Sequence, residues 1–148
     1  MGVVTETTGT RALGVDLGER RIGLALSDPS RTVASPHEVL RRSGDPVVDR
    51  RAIVAFAHEL GANVIVVGLP LSLSGAKGPA ARAALDEVEA LRAISGGIDV
   101  VVQDERLTTV TAERALGEAR MKRAARRNVV DKVAAAVMLQ AWLERPPS

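Results

Sequence analysis

Residues 11–28 read RALGVDLGERRIGLALSD, and their apolar positions fall into two alternating runs. In the first, Leu13, Val15 and Leu17 share one face while Ala12, Gly14 and Asp16 share the other. In the second, Ile22, Leu24 and Leu26 alternate with Gly23, Ala25 and Ser27. A period of two is that of a strand, and the short connection Gly18-Glu19-Arg20 predicts an antiparallel hairpin. A third strand is expected near 33–41, interrupted by Pro36. From Asp45 to Leu60 the period lengthens, with Val48, Ala52, Ile53, Phe56, Ala57 and Leu60 at helical spacing before Gly61. NVIVVGLP is then a continuous apolar run, as expected of a parallel strand buried on both faces. The loop LSLSGAKG leads through Pro79 into a helix over roughly 79–94. IDVVVQDE reads as another buried strand, ending in two acids. Thr108 or Thr109 is placed to cap a third helix to about Ala119, and Asn128 a fourth to about Leu143. A meander followed by alternating helices and strands predicts an α/β domain with a five-stranded mixed sheet flanked by helices.

Composition narrows the chemistry. At 148 residues the chain has the length of one domain. Its core must be aliphatic, since Phe56 and Trp142 are the only aromatic rings of the Phe, Tyr and Trp class. That scarcity argues against recognition of bases by stacking. The absence of cysteine excludes disulfides, thiolate metal sites and cysteine nucleophiles. With only His37 and His58, a His-rich metal site is excluded too, so any metal must sit on carboxylates. Oxygen ligands favour a hard cation, Mg²⁺ or Mn²⁺. No apolar run approaches membrane-spanning length and MGVVTETTGT lacks the parts of a signal peptide, so a cytoplasmic protein with no membrane partner is expected. The expected organisation is an N-terminal tail over 1–10, one domain over 11–144 and a short C-terminal tail over 145–148.

The formal net charge is +2, and its distribution says more than its size. The run ARMKRAARRN, residues 119–128, carries Arg120, Lys122, Arg123, Arg126 and Arg127 with no acid. Removing these five from 20 basic residues leaves 15 against 18 acidic ones, so the positive charge is local. Such a run is either a solvated face or a holder of phosphates.

Acids at three places in the chain stand out against this background. Asp16 interrupts a strand expected to be central, and a carboxylate taken from water without a partner costs several kcal/mol. An ion pair, a turn cap or a metal would each satisfy it. Asp104 and Glu105 end the last parallel strand, and ligands of open α/β sheets bind at carboxyl ends of strands. A solvated strand exit is the plainer reading. Asp131 lies on the row Asp131, Ala135, Met138, Trp142, whose apolar members turn it toward the protein body. With Asn128 as N-cap, Asp131 would also be the third helical residue, where an acid meets the helix dipole. Acids from two strands and a helix suit a pair of divalent cations, which stabilise the attacking water and the leaving oxygen of a phosphodiester.

The blocks GVDLGERRIGLALSD, VVGLPLSLSGAKGPAA, DERLTTVTAERAL and VVDKVAAAVMLQAWL resemble, in order, the four signature blocks of the YqgF/RuvX family. The resemblance covers about residues 11–144. It implies an RNase H-like fold, a kinship with RuvC-type Holliday-junction resolvases and a nuclease activity that matures the 5′ end of pre-16S rRNA. It places the family's three metal-binding, catalytic acids on Asp16, Glu105 and Asp131, whereas spacing alone leaves Asp104 open as a ligand. RuvC-type enzymes carry two acids near the start of the final helix, and this chain has Asp131 alone there. Lys122, Arg123, Arg126 and Arg127 are expected to hold nucleic acid on charge alone.

Two rival functions remain. The first block also resembles the first phosphate loop of actin-like ATPases and sugar kinases, but 148 residues hold one such lobe where those enzymes need two. No G-x-x-x-x-G-K-[ST] is present, and SGAKGPAA is a poor imitation. A thermal shift with nucleotide would discriminate. The other rival is a module that grips structured RNA without cutting it, against which the three acids count. With neither a coiled coil nor an evident apolar stripe, the chain is expected to act as a monomer or weak homodimer on pre-rRNA or on structured or branched DNA.

Overall fold

The two alternating runs form a hairpin, β1 (Arg11–Leu17) and β2 (Arg21–Ser27), paired antiparallel with Asp16 opposite Gly23. The turn is closed by Gly18 N–H donating to Arg21 O at 2.9 Å, and a Cβ on Gly18 would lie 2.6 Å from that same oxygen. Only glycine fits this corner. Strand β3 (Ala34–Arg41) pairs with β2, and its register shifts between Leu24 and Ala25, where Pro36 enters the ladder. Pro36 is tolerated because β3 is an edge strand.

The computed structural model describes residues 10–70, 78–104 and 123–145, with the backbone alone for 123–131. Asp45 caps helix α1 (Pro46–Glu59) by accepting from Val47 N–H at 2.9 Å, with Pro46 in the first turn. Strand β4 (Ala62–Leu69) runs parallel to β1, helix α2 (Pro79–Ile94) follows, and β5 (Asp99–Asp104) runs parallel to β4. Helix α3 (Arg123–Leu143) is the last element. The sheet order β3-β2-β1-β4-β5 puts β1 at the centre. The expected five-stranded mixed sheet is therefore present. The N-terminal tail over residues 1–9, the loop over 71–77 and the expected helix from Thr108 or Thr109 to Ala119 lie outside the described residues.

The two faces of the sheet are unlike. On one, Leu13, Val15, Ile22, Leu24, Ile65 and Val67 pack against Ile53 and Ala57 of α1 and Val88 and Leu91 of α2. On the other, Ala12, Ala25, Val64 and Val66 receive Ala135, Met138, Leu139 and Trp142 of α3. Small residues on this second face let the helix come close. A Cβ on Gly14 would stand 2.9 Å from Leu139 Cβ and 3.2 Å from Ala135 O.

The C-terminal end of α3 is pinned by the loop after β2. Gln140 accepts from Ala34 N–H at 2.8 Å and donates to Thr32 O at 3.0 Å. Asp28 organises that loop, accepting from Ser30 Oγ at 2.6 Å, Thr32 N–H at 2.7 Å and Val33 N–H at 3.0 Å. These bonds, Ser30 foremost, lower the Asp28 carboxyl from 3.8 to about 2.

Two expectations require correction. Helix α3 starts no later than Arg123, so Asn128 is an interior residue, not the N-cap, and Asp131 is not in the first turn. Ala124, Ala125, Arg126 and Arg127 are good helix formers, and they carry the helix past the point where a polar residue looked like a boundary. Strand β5, expected to be buried, is at the sheet edge in the described part of the molecule, with Val102 38% exposed. An apolar run does not say whether a neighbour lies on both sides of it.

Replacing Gly14 by valine should displace α3, because neither Ala135 O nor Leu139 Cβ is the free end of a side chain. Overpacking of this kind costs about 2 kcal/mol, a Tm decrease on the order of 6–8 °C for a domain of this size. A variant of unchanged Tm in a thermal melt would show that the helix does not need the close approach.

A second expectation concerns acid. Since folding lowers the Asp28 carboxyl, its contribution to stability is full above the ordinary value of 3.8 and lost as pH falls through about 2. The Tm difference between the wild-type chain and Asp28→Ala should accordingly shrink between pH 4 and pH 2. A constant difference across that range would place the loop's order elsewhere.

Candidate active site

Asp16 is the sixth of the seven residues of β1, at the carboxyl end of the central strand. Alternation from Gly14 puts it on the face covered by α3, where it is half-buried rather than fully enclosed. Its neighbour across the β2 ladder is Gly23. On the other side, Val15 pairs with Val67, so the residue following on β4 is Gly68. Its directly opposite neighbours along the sheet are thus both glycines.

Helix α3 runs antiparallel to β1. Gln140 sits at Ala34, which pairs with Ser27 near the start of β1, while Lys132 borders a cleft with Arg21 and Arg41 at the far end. Leu139 and Ala135 lie against Gly14. Asp131 is the next position on that helical row, one turn or about 5.4 Å toward the N-terminus. Asp16 is two residues on from Gly14, about 7 Å in the same direction. The backbone of Asp131 thus reaches the end of the sheet at which Asp16 stands. Of the row expected to face the protein body, Ala135, Met138 and Trp142 are buried.

Asp104 and Asp16 are on opposite faces. Asp104 pairs with Leu69, which packs with Ala81 and Ala84 of α2, whereas Asp16 faces the α3 side. Glu105 lies outside the described residues, as does Lys122. Arg123, Arg126 and Arg127 fall within α3. Among the described residues no three acids or histidines form a group that would hold a metal.

Both histidines are engaged elsewhere. His58 Nε2 is 3.1 Å from Ser95 O, and the His37 ring meets Phe56 edge-on with centroids 6.2 Å apart. Among the described residues, neither histidine is placed at the end of β1.

Sequence reasoning passed over a second group of bases. Arg20, Arg21, Arg41 and Arg42 line one open cleft beside the β1–β2 turn. Each pair is only a dipeptide in the sequence, and the hairpin register is what joins them, with Arg21 directly opposite Arg41. The signal lay in two Arg-Arg steps at the ends of predicted strands.

Similarity to known proteins bears on the family and the fold. Residues 10–145 match the family model described as RuvX: Holliday junction resolvase. A protein of Mycobacterium sp. (strain KMS), named "Putative pre-16S rRNA nuclease", is 42% identical over 135 residues, 91% of this chain and 80% of that one. A protein of the same name from Kineococcus radiotolerans is 46% identical over 132 residues, 89% of this chain and 70% of that one. Among solved structures, RuvC of Thermus thermophilus in complex with a Holliday junction substrate superposes with a TM-score of 0.55 at 16% identity, over 87% of this chain and 91% of that one. RuvC of the same organism in a second structure gives a TM-score of 0.52 at 14% identity, over 86% and 92%. The structural likeness is one of fold, an RNase H-like sheet with its helices, while the sequence match spans the domain: this chain belongs to the RuvX family.

Proposed function

We propose that the chain is a divalent-metal-dependent nuclease that hydrolyses phosphodiester bonds, acting in 5′-end processing of pre-16S rRNA and on branched DNA such as Holliday junctions. The observation that carries this reading is Asp16, set between Gly23 and Gly68 at the end of the central strand, with the Asp131 backbone arriving at the same end. Family membership and the names of the relatives supply the substrate class.

Asp16, Glu105 and Asp131 would hold the metal. Oxygen donors alone suit Mg²⁺ or Mn²⁺, and the direct cross-strand neighbours of Asp16 are glycines. Asp104 fits less well, since it shares a face with Leu69 and not with Asp16, and this favours Glu105. When bound, the metal lowers the pKa of the attacking water and neutralises charge on the leaving oxygen. The chain's own contribution is rigidity. Asp16 is fixed by ladders on both sides of β1, and Asp131 by a helix pinned at its far end through Gln140. Neither histidine is placed to act as general base, so carboxylates do the work at this site.

Lys122, Arg123, Arg126 and Arg127 are proposed to hold the nucleic-acid backbone. Arg127 and Arg123 continue the helical row of Asp131 by one and two turns, which sets a cationic track leading to the acids. The activity belongs to the cytoplasm, where ribosomal precursors are processed. A monomer or weak homodimer acting on structured RNA is the preferred state, because symmetric junction cleavage needs two matched sites. Among the described residues no helix is long and apolar enough to cross a membrane.

Asp16→Asn keeps the shape of the side chain and removes its charge. Cleavage with Mn²⁺ should be abolished and Mn²⁺ affinity, read by calorimetry, should collapse, with Tm little changed. Retained cleavage by a contaminant-free preparation would sink the assignment. Wild-type protein that cuts none of a ribosomal RNA precursor, a four-way junction, a duplex and single-stranded DNA would leave the non-cleaving binding module in its place.

Replacing Arg123, Arg126 and Arg127 together by alanine tests the helical track. If each contacts one phosphate, the slope of log K against log salt on duplex should fall by about 0.9 per contact, so by ~2–3. An unchanged slope would mark the run as a solvated face.

A further inference from the structure

We propose that Arg42 is a positioning residue for Asp16, bracing the β1–β2 turn so that the end of the central strand is held in place. This role deepens the nuclease reading and rests on Asp16 being a metal ligand.

Asp16 stands where the pairing of β1 thins out. The pairs with β4 run as far as Val15–Val67, whereas those with β2 run on through Asp16–Gly23 to Leu17–Ile22. Asp16–Gly23 is thus the second rung from the turn, and the ends of elements open before their middles. Gly18, the first residue of the turn, is two positions past Asp16, about 7 Å along the strand. Whatever steadies Gly18 bears on the carboxylate.

Backbone groups that leave a ladder need other partners. Gly18 donates its N–H to Arg21 O at 2.9 Å, and its carbonyl accepts from Arg42 Nε at 2.7 Å. Arg42, the first residue past β3, also donates its own N–H to Arg20 O at 2.9 Å. One residue therefore grips the turn at two carbonyls, Gly18 through its side chain and Arg20 through its backbone. Two points of attachment stop the turn from pivoting about either. The bond to Gly18 is charge-assisted, hence stronger than one between neutral groups. It matters the more because the turn projects between two clefts, one bordered by Arg20 and Arg21, the other by Leu17 and Gly18. Arg42 is half-buried and borders both.

Metal ligands are commonly oriented by groups that do not touch the metal. Arg42 reaches Asp16 through the backbone of Gly18 and Leu17, so it acts on position. An effect of its charge would have the opposite sign, since removing a nearby cation favours the binding of a divalent ion.

Two neutral variants separate the bond from the charge. Arg42→Gln keeps an N–H donor at the same place along the side chain as Nε, and Arg42→Met keeps the length without the donor. Mn²⁺ binding to the full chain is read by calorimetry without nucleic acid, and amide hydrogen exchange is read at Gly18. Arg42→Met should weaken Mn²⁺ binding roughly tenfold or more and quicken the exchange several-fold, while Arg42→Gln stays near wild type in both. Arg42→Ser, too short to reach Gly18 O, takes the place of Arg42→Met should that variant not fold. Equal Mn²⁺ affinity in Arg42→Gln and Arg42→Met, at any strength, or weaker binding by Arg42→Gln, would overturn the proposal. In a wild-type protein that binds Mn²⁺ and cuts, that result would leave the nuclease reading intact. A wild-type protein that binds no Mn²⁺ would remove the nuclease reading instead, and exchange at Gly18 would then decide the brace: quickened in Arg42→Met alone it stands, and otherwise it falls.

Discussion

Helix α3 lies on the sheet only because β1 and β2 present it a face almost without bulk. Ala12 and Gly14 on β1, with Gly23 and Ala25 opposite on β2, leave a shallow trough into which Ala135, Met138 and Leu139 settle. The backbone at Ala135 comes so close to Gly14 that a single added carbon would touch it. Interiors this dense do not absorb a methyl group without movement elsewhere. Everything at the end of the sheet follows from that seating. The row that rests on Gly14 is the row that continues to Asp131, so the depth of the helix fixes how near that position comes to the Asp16 strand.

On the proposed reading, the placement of Asp16 as a metal ligand resolves a conflict between two demands. A metal ligand must be rigid, which favours a central strand, yet a carboxylate deep in a core would lose its hydration at a cost of several kcal/mol. The chain meets both by putting the acid one residue from the strand end and half-buried, with glycine on either side. The ladders hold the backbone while the side chain retains access to water and ions. The opposite end of the same helix is held by polar bonds from Gln140 and by Arg145 stacked 3.8 Å over the Trp142 ring. These contacts anchor one end of the helix, and the proposed chemistry falls to the other.

Charge is segregated around this point. The acids read as ligands come from the central strand, the strand-end acid pair and the last helix. Bases are gathered in the hairpin cleft, and a second set stands in the sequence run before Asp131. On the proposed reading, such an arrangement would attract a polyanion while the carboxylates repel it locally, and a cation would be needed between the acids and the nearest phosphate. A net charge of +2 conceals this entirely, because it averages two opposed regions.

Hydrophobic periodicity alone determined the hairpin, helix α1 from its Asp45 cap, β4 as a strand buried on both faces and α2 from Pro79. It also determined that Asp16 sits on the small-residue face, since alternation is a property of the chain itself. Periodicity is blind to what lies beside an element. Hence the apolar run of β5 looked like that of β4, although β5 is an edge strand, and Asn128 looked like a helix start, although helix-forming residues precede it. Spacing left Asp104 and Glu105 equivalent, and only the pairing of Asp104 with Leu69 assigned Asp104 to the face away from Asp16. The hairpin arginines were invisible for the same reason: residues 20–21 and 41–42 are distant along the chain, and cross-strand register alone makes them neighbours. Local pattern encodes which face a residue takes, because the backbone period is fixed. Which residues meet is decided by pairing and packing between segments, which no single segment contains.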